Sequence, residues 1–125
     1  MKYLLDVNVL VAWHHTSHPH HARFHLWAKK QNPADLTSCA ITELGFLRIS
    51  MQSYGYTLEK AEKALAEIEK DGISYLDTLS KPKLPRWATT GPKTTDAYLC
   101  QLAAAHGLQL ATFDSRIKDF AAFLI

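Results

Sequence analysis

Lys2-Tyr3-Leu4-Leu5-Asp6-Val7-Asn8-Val9-Leu10-Val11 begins as a short apolar run, meets one carboxylate, and continues apolar. A run this short that halts at Asp6 reads as a buried strand, and Val7, Val9, Leu10, Val11 and Trp13 read as the helix that follows it. The arrangement recurs near the far end, where Leu108 to Thr112 reads as a second buried strand with Asp114 just beyond it. Strand, carboxylate and helix in this order belong to an α/β chain. In an open parallel sheet, residues just past the carboxyl ends of strands line one crevice.

The intervening sequence supplies the rest of such a fold. Ser17-His18-Pro19 signals a helix start, because the missing N–H of proline costs nothing in a first turn. Ala22, Phe24, Leu26, Trp27 and Ala28 continue that helix until Asn32-Pro33, and Asp35-Leu36-Thr37 is a short strand candidate. Ser38 is expected to cap the next helix, whose apolar side comes from Ile41, Leu44, Phe46, Leu47 and Ile49. Thr57 opens the clearest helix: Leu58, Ala61, Ala64, Leu65 and Ile68 fall at helical spacing, and Gly72 closes it. Ile73 to Leu76 is a further strand, Asp96 to His106 a helix stopped by Gly107, and the apolar tail from Ile117 to Ile125 a last helix or strand. Strands alternating with helices imply a mostly parallel sheet covered on both faces, in a single domain spanning residues 1–125.

Composition bounds the function. With 47% hydrophobic and 21% charged residues, the chain is ordinary for a soluble globular protein. No apolar run approaches the roughly 18 residues of a membrane span, and the N-terminus meets Asp6 too early for a signal peptide. A cytoplasmic location is the expectation. Cys39 and Cys100 lack zinc-type spacing and read as reduced core residues. A net charge of +2 does not by itself advertise nucleic acid. Its distribution says more: Lys81, Lys83, Arg86 and Lys93 accumulate around Trp87 without an acid, and lead into Asp96. Such a loop suits a phosphate backbone and a stacked base, or plain solvent.

Asp6, Glu43, Asp96 and Asp114 are the candidate site residues. Two follow strands and two stand in the first turns of apolar helices. Singly, each has a structural explanation, since Asp6 and Asp96 can cap helices and Asp114 can start a turn. Four carboxylates brought to one crevice would repel each other, which argues for a divalent cation with hard oxygen ligands, magnesium or manganese, and for hydrolysis of phosphodiesters.

In its ordered set of acids the chain resembles the PIN-domain ribonucleases, and among them the VapC toxins of bacterial type II toxin-antitoxin pairs. The stretches that carry the resemblance are LLDVNVLVAW (Leu4 to Trp13), ITELGFLRIS (Ile41 to Ser50) and TTDAYLCQLAAAHGLQLATFD (Thr94 to Asp114). The resemblance implies a three-layer α/β/α PIN-like domain with a central, mostly parallel sheet. It implies that Asp6, Asp96 and Asp114 hold one or two Mg2+ or Mn2+ ions, and that Glu43 orients or deprotonates the attacking water. Asn8 and Thr112 match polar positions near the family's site. Arg48 matches a recurrent basic position, where it contacts RNA or pairs with an acid. RNA is the implied substrate and a VapB-like antitoxin the implied partner. Phe24, Trp27, Phe46, Ile49, Met51, Tyr54 and Tyr56 are more apolar surface than so small a core readily buries, which adds the expectation of a homodimer that also binds the antitoxin.

Competing readings are a catalytically inactive PIN-like module that binds RNA or protein, which the intact acidic set argues against, and a phospho-receiver signalling domain. A receiver needs an acidic pair after its first strand and a lysine after its fifth, whereas here Val7 follows Asp6 and Asp114 stands in place of the lysine. The histidines from His14 to His21, with His25, invite a zinc or nickel reading, but no cysteine or acid lies within the stretch to close such a site. They are read as bystanders to a site built from oxygen ligands.

Overall fold

The computed structural model describes all 125 residues, Met1 to Ile125. Five strands, β1 (Tyr3–Leu5), β2 (Leu36–Cys39), β3 (Ser74–Leu76), β4 (Gln109–Thr112) and β5 (Ala122–Leu124), form one sheet in the order β3-β2-β1-β4-β5. Every neighbouring pair is parallel, with Leu5 opposite Ala111 and Leu4 opposite Thr37. Parallel pairing requires crossovers, and the helices supply them: α1 (Val7–His14), α2 (His21–Ala28), α3 (Ala40–Tyr54), α4 (Leu58–Glu69) and α5 (Thr94–Ala105). The exception is the connection from β4 to β5, which contains no helix.

Side-chain alternation along β1 divides the core in two. Tyr3 and Leu5 point into a cluster with Val9, Leu10, Phe24, Phe46, Leu65 and Ile68, which puts α1 to α4 on one face of the sheet. Leu4 points the other way, to Leu99, Leu102, Ala103 and Leu110, which puts α5 on the opposite face. This is the expected three-layer α/β/α arrangement. Both cysteines are free and buried within the second cluster.

Three local expectations are corrected. Ser38 does not cap α3: it stays in β2, and Cys39 is the cap, with its N–H bonded to Thr42 Oγ1 at 3.1 Å. The second helix starts at His21 rather than Pro19, because the chain first turns through His18–His21. Asp96 lies in the first turn of α5, which begins at Thr94 with Lys93 as its cap. The helix at Thr57 and the left-handed glycines Gly72 and Gly107 lie where the sequence puts them.

Gly45 sets how near α3 comes to the start of α1. A Cβ there would stand 2.7 Å from Val7 Cγ2, so only glycine lets α3 lie this near the start of α1.

Candidate active site

Asp6 is fixed from three sides. Its N–H donates to the Ala111 carbonyl at 3.0 Å, which extends the β1–β4 ladder by one residue. Its Oδ1 accepts from the Val7 N–H at 2.8 Å, capping α1, and its Oδ2 accepts from the Thr112 hydroxyl at 2.8 Å. Only 5% of the residue is exposed. Burial, then the nearby Asp96, push this carboxyl up to about 6, against the pull of the bonds from Thr112 and Val7.

Thr112 joins Asp6 to the next acid. Its Oγ1 also accepts the N–H of Asp114 at 3.1 Å, so one buried hydroxyl touches both sides of the crevice. Asp114 is half-buried and carries Arg116 as a fork: Oδ1 accepts from Nε and Oδ2 from an Nη, each at 3.0 Å, and Oδ1 also accepts the Arg116 backbone N–H at 2.9 Å. These bonds hold the Asp114 carboxyl below its ordinary value. Asp96 faces the same space from α5. Burial and then Asp114 raise its carboxyl. The three aspartates thus sense one another across the ends of β1 and β4 and the start of α5, where parallel sheets open a crevice.

Glu43 stands apart from this group. Its Oε2 accepts from the Ser38 hydroxyl at 2.5 Å, and its charged neighbour is Glu69, not an aspartate. Burial raises its carboxyl, and it lines a separate cleft with Ser38, Glu69, Ser74 and Tyr75.

Two cavities flank the aspartates and share Asp114 and Arg116 as a common wall. The first, about 350 Å³, is lined by Asn8, His18, His20, Thr112 and Phe113. The His20 ring stacks on Phe113 at 4.5 Å. The second, about 440 Å³, is lined by Trp87, Lys93, Asp96 and Lys118. Of the basic loop, only Trp87 and Lys93 reach this wall, and the indole N–H of Trp87 is given to Asp119 at 2.8 Å. Asn8 is exposed at the first cavity, whereas Arg48 lies on the exposed face of α3, lining neither cavity.

Sequence reasoning missed Arg116, His20 with Phe113, and Lys118. An aspartate and an arginine two residues apart were on view in Asp114-Ser115-Arg116, and that spacing in a turn lets the arginine fold back on the acid. Nothing in the sequence placed His20 against Phe113. His18 lines the same cavity and its Nδ1 accepts the His20 N–H at 3.0 Å, whereas four other histidines are engaged elsewhere. His14 meets Tyr56 Oη and His15 meets Ser50 Oγ, both at 2.9 Å. His21 and His25 bond the backbone carbonyls of Ala12 and Trp13.

The surplus of apolar residues is smaller than expected. Phe24 and Phe46 are fully buried, and Trp27, Ile49, Tyr54 and Tyr56 pack against the main core. Leu44 and Met51, one face of α3 at helical spacing, remain exposed at 66% and 42%.

A family model, described as PIN domain, matches residues 3–122. The chain is 35% identical to Ribonuclease VapC44 of Mycobacterium tuberculosis, over 94% of this chain and 89% of that protein. It is 31% identical to Ribonuclease VapC38 of the same organism, again over 94% and 89%, and 32% identical to Ribonuclease VapC29, over 92% and 87%.

Proposed function

The chain belongs to the PIN-domain family and, within it, to the VapC ribonucleases, and from that premise we propose that it is a metal-dependent endoribonuclease, the toxic member of a type II toxin-antitoxin pair. The observation that carries the reading is that Asp6, Asp96 and Asp114 face one crevice, where burial and then the neighbouring acids raise the proton affinity of Asp6 and Asp96. Asp6 caps α1 and Asp114 pairs with Arg116, which leaves Asp96 without a hydrogen-bonded partner beside them, and a cation would supply one.

The donor set fits a hard divalent ion. All three side chains offer oxygen alone, which suits Mg2+ or Mn2+. No three acids, histidines or cysteines are already folded into a cage, so the carboxylates would be drawn together as the ion's charge offsets their repulsion. When bound, such an ion supplies a water of lowered pKa and a counter-charge for the phosphoryl oxygens of RNA.

The chain's own groups do the rest. The bonds from Val7 and Thr112 fix the orientation of the Asp6 carboxylate. We assign to Asn8 a contact with the RNA backbone, a role its exposed position in the lining of the first cavity supports. We assign to Glu43 the deprotonation of the attacking water, a role its raised proton affinity suits and for which its side chain must turn from Ser38 or act through an intervening water. A VapB-like antitoxin and a second copy of the chain are the proposed protein partners. The exposed stripe of Leu44 and Met51, with Arg48 between them, supports that assignment.

The test is cleavage of labelled RNA by the purified protein with Mn2+, Mg2+ or chelator. Asp96→Asn should lower the rate by about 100-fold or more while leaving the circular dichroism unchanged, because it removes a charge and keeps the shape. A parent protein inert toward cellular RNA with either ion overturns the assignment.

A further inference from the structure

Arg116 is held in a way that serves no structural purpose. Its side chain is 89% exposed, and its only side-chain partner is Asp114, two residues back in the same turn. The pair therefore ties no element to another. An exposed ion pair also adds little stability. Yet the guanidinium occupies both oxygens of an acid in the crevice and forms the wall common to the two flanking cavities.

A guanidinium and a divalent cation compete for the same carboxylate oxygens, since each satisfies the same negative charge. Once displaced, an arginine presents a planar fork of donors that matches a phosphate as well as it matches a carboxylate. Around it stand Lys93 and Lys118, which line the same cavity and carry the same sign. Resting on the nuclease reading above, we infer that Arg116 is an exchangeable counter-cation, which leaves Asp114 when a divalent ion binds there and then holds the RNA phosphate beside the scissile one. It is a binding residue for RNA, and it links metal loading to substrate binding through one rotamer change.

The decisive comparison uses the full-length parent protein, Arg116→Ala and Arg116→Lys. Mn2+ affinity is measured by calorimetry without RNA, and KM and kcat by cleavage of a labelled mixed-sequence oligoribonucleotide at saturating Mn2+. Arg116→Ala should bind Mn2+ about fivefold more tightly, the ceiling for losing an exposed competing pair. Its KM should rise about tenfold with kcat within about twofold, as expected for the loss of a contact made equally before and during the reaction. Arg116→Lys should fall between the two on both measures, keeping charge but losing the fork. Unchanged or weaker Mn2+ binding by Arg116→Ala, or an unchanged KM, overturns the inference. If the parent binds Mn2+ but cleaves no RNA, the nuclease reading falls by itself. The exchange is then decided by the Mn2+ titration together with RNA affinity from fluorescence anisotropy, where Arg116→Ala must bind RNA more weakly in the presence of Mn2+.

Discussion

A carboxylate buried at the end of an apolar strand is costly unless something offsets it, and Asp6 has only two hydrogen bonds with which to oppose its burial and its acidic neighbours. Because its folded pKa is raised from 3.8 to about 6, the native state holds this proton more tightly than the unfolded chain. The contribution of Asp6 to stability is therefore most favourable below about pH 4, and it is lost as pH rises towards about 6. Comparing the parent with Asp6→Asn isolates this effect from other titrations. With chelator present, the variant should match the parent near pH 4 and exceed it by about 3 kcal/mol above pH 6, an order-of-magnitude figure from a shift of about two units. Denaturant unfolding at a series of pH values checks it, and parallel curves for the two proteins would refute it. The three aspartates were legible in the sequence because each stands where one element gives way to the next. The direction of Glu43 was not. That depended on whether Ser38 left the sheet to cap α3, and a shift of one residue in the cap turned its hydroxyl toward Glu43 instead.

At the scale of elements, the joint between α1 and α3 holds the crevice wall in place, and it has two parts. One is the contact of Val7 with Gly45. Adding a methyl group in Gly45→Ala gains helix propensity of about 1 kcal/mol but drives Cβ into Val7, at a typical overpacking cost of about 1–3 kcal/mol. The expected net effect is a loss of stability. A double-mutant cycle with Val7→Ala should show the two changes to be non-additive, the second relieving the first. The other part is His15, buried at the end of α1, stacked on Tyr54 at 3.6 Å and bonded to Ser50. Ser50→Ala should cost about 1–3 kcal/mol by leaving the ring nitrogen unsatisfied, as read by thermal or denaturant unfolding. Burial lowers the His15 pKa from 6.5 to about 4, so the folded protein keeps this ring neutral. Its stabilisation is complete above about pH 6.5 and is lost as pH falls towards 4, opposite in sign to that of Asp6. The helix at Thr57 and the strands at β1 and β4 were legible from periodicity and caps. The start of α2 was not, since Pro19 marks a turn as readily as a first helical residue, and here the chain folds back through His18 before the helix begins.

For the whole molecule, the three mutually repelling acids predict that a divalent ion should stabilise the fold. At about 100 times its dissociation constant the gain would be roughly 2.7 kcal/mol. Equal melting temperatures in Mn2+, Mg2+ and chelator would count against the proposed centre. No helix of the chain is long and apolar enough to cross a membrane. The parallel sheet has a further consequence, one of timing. Its central strand is made well before the neighbouring strand that completes the acidic crevice. The hydroxyl of Thr112 reaches Asp6 across 106 positions of chain. A chain made only as far as Ala111 therefore holds Asp6 without the hydroxyl that fixes it. Any product truncated before Thr112 lacks that bond and Asp114 alike, so the three aspartates come together only once α5 and β4 have both been made.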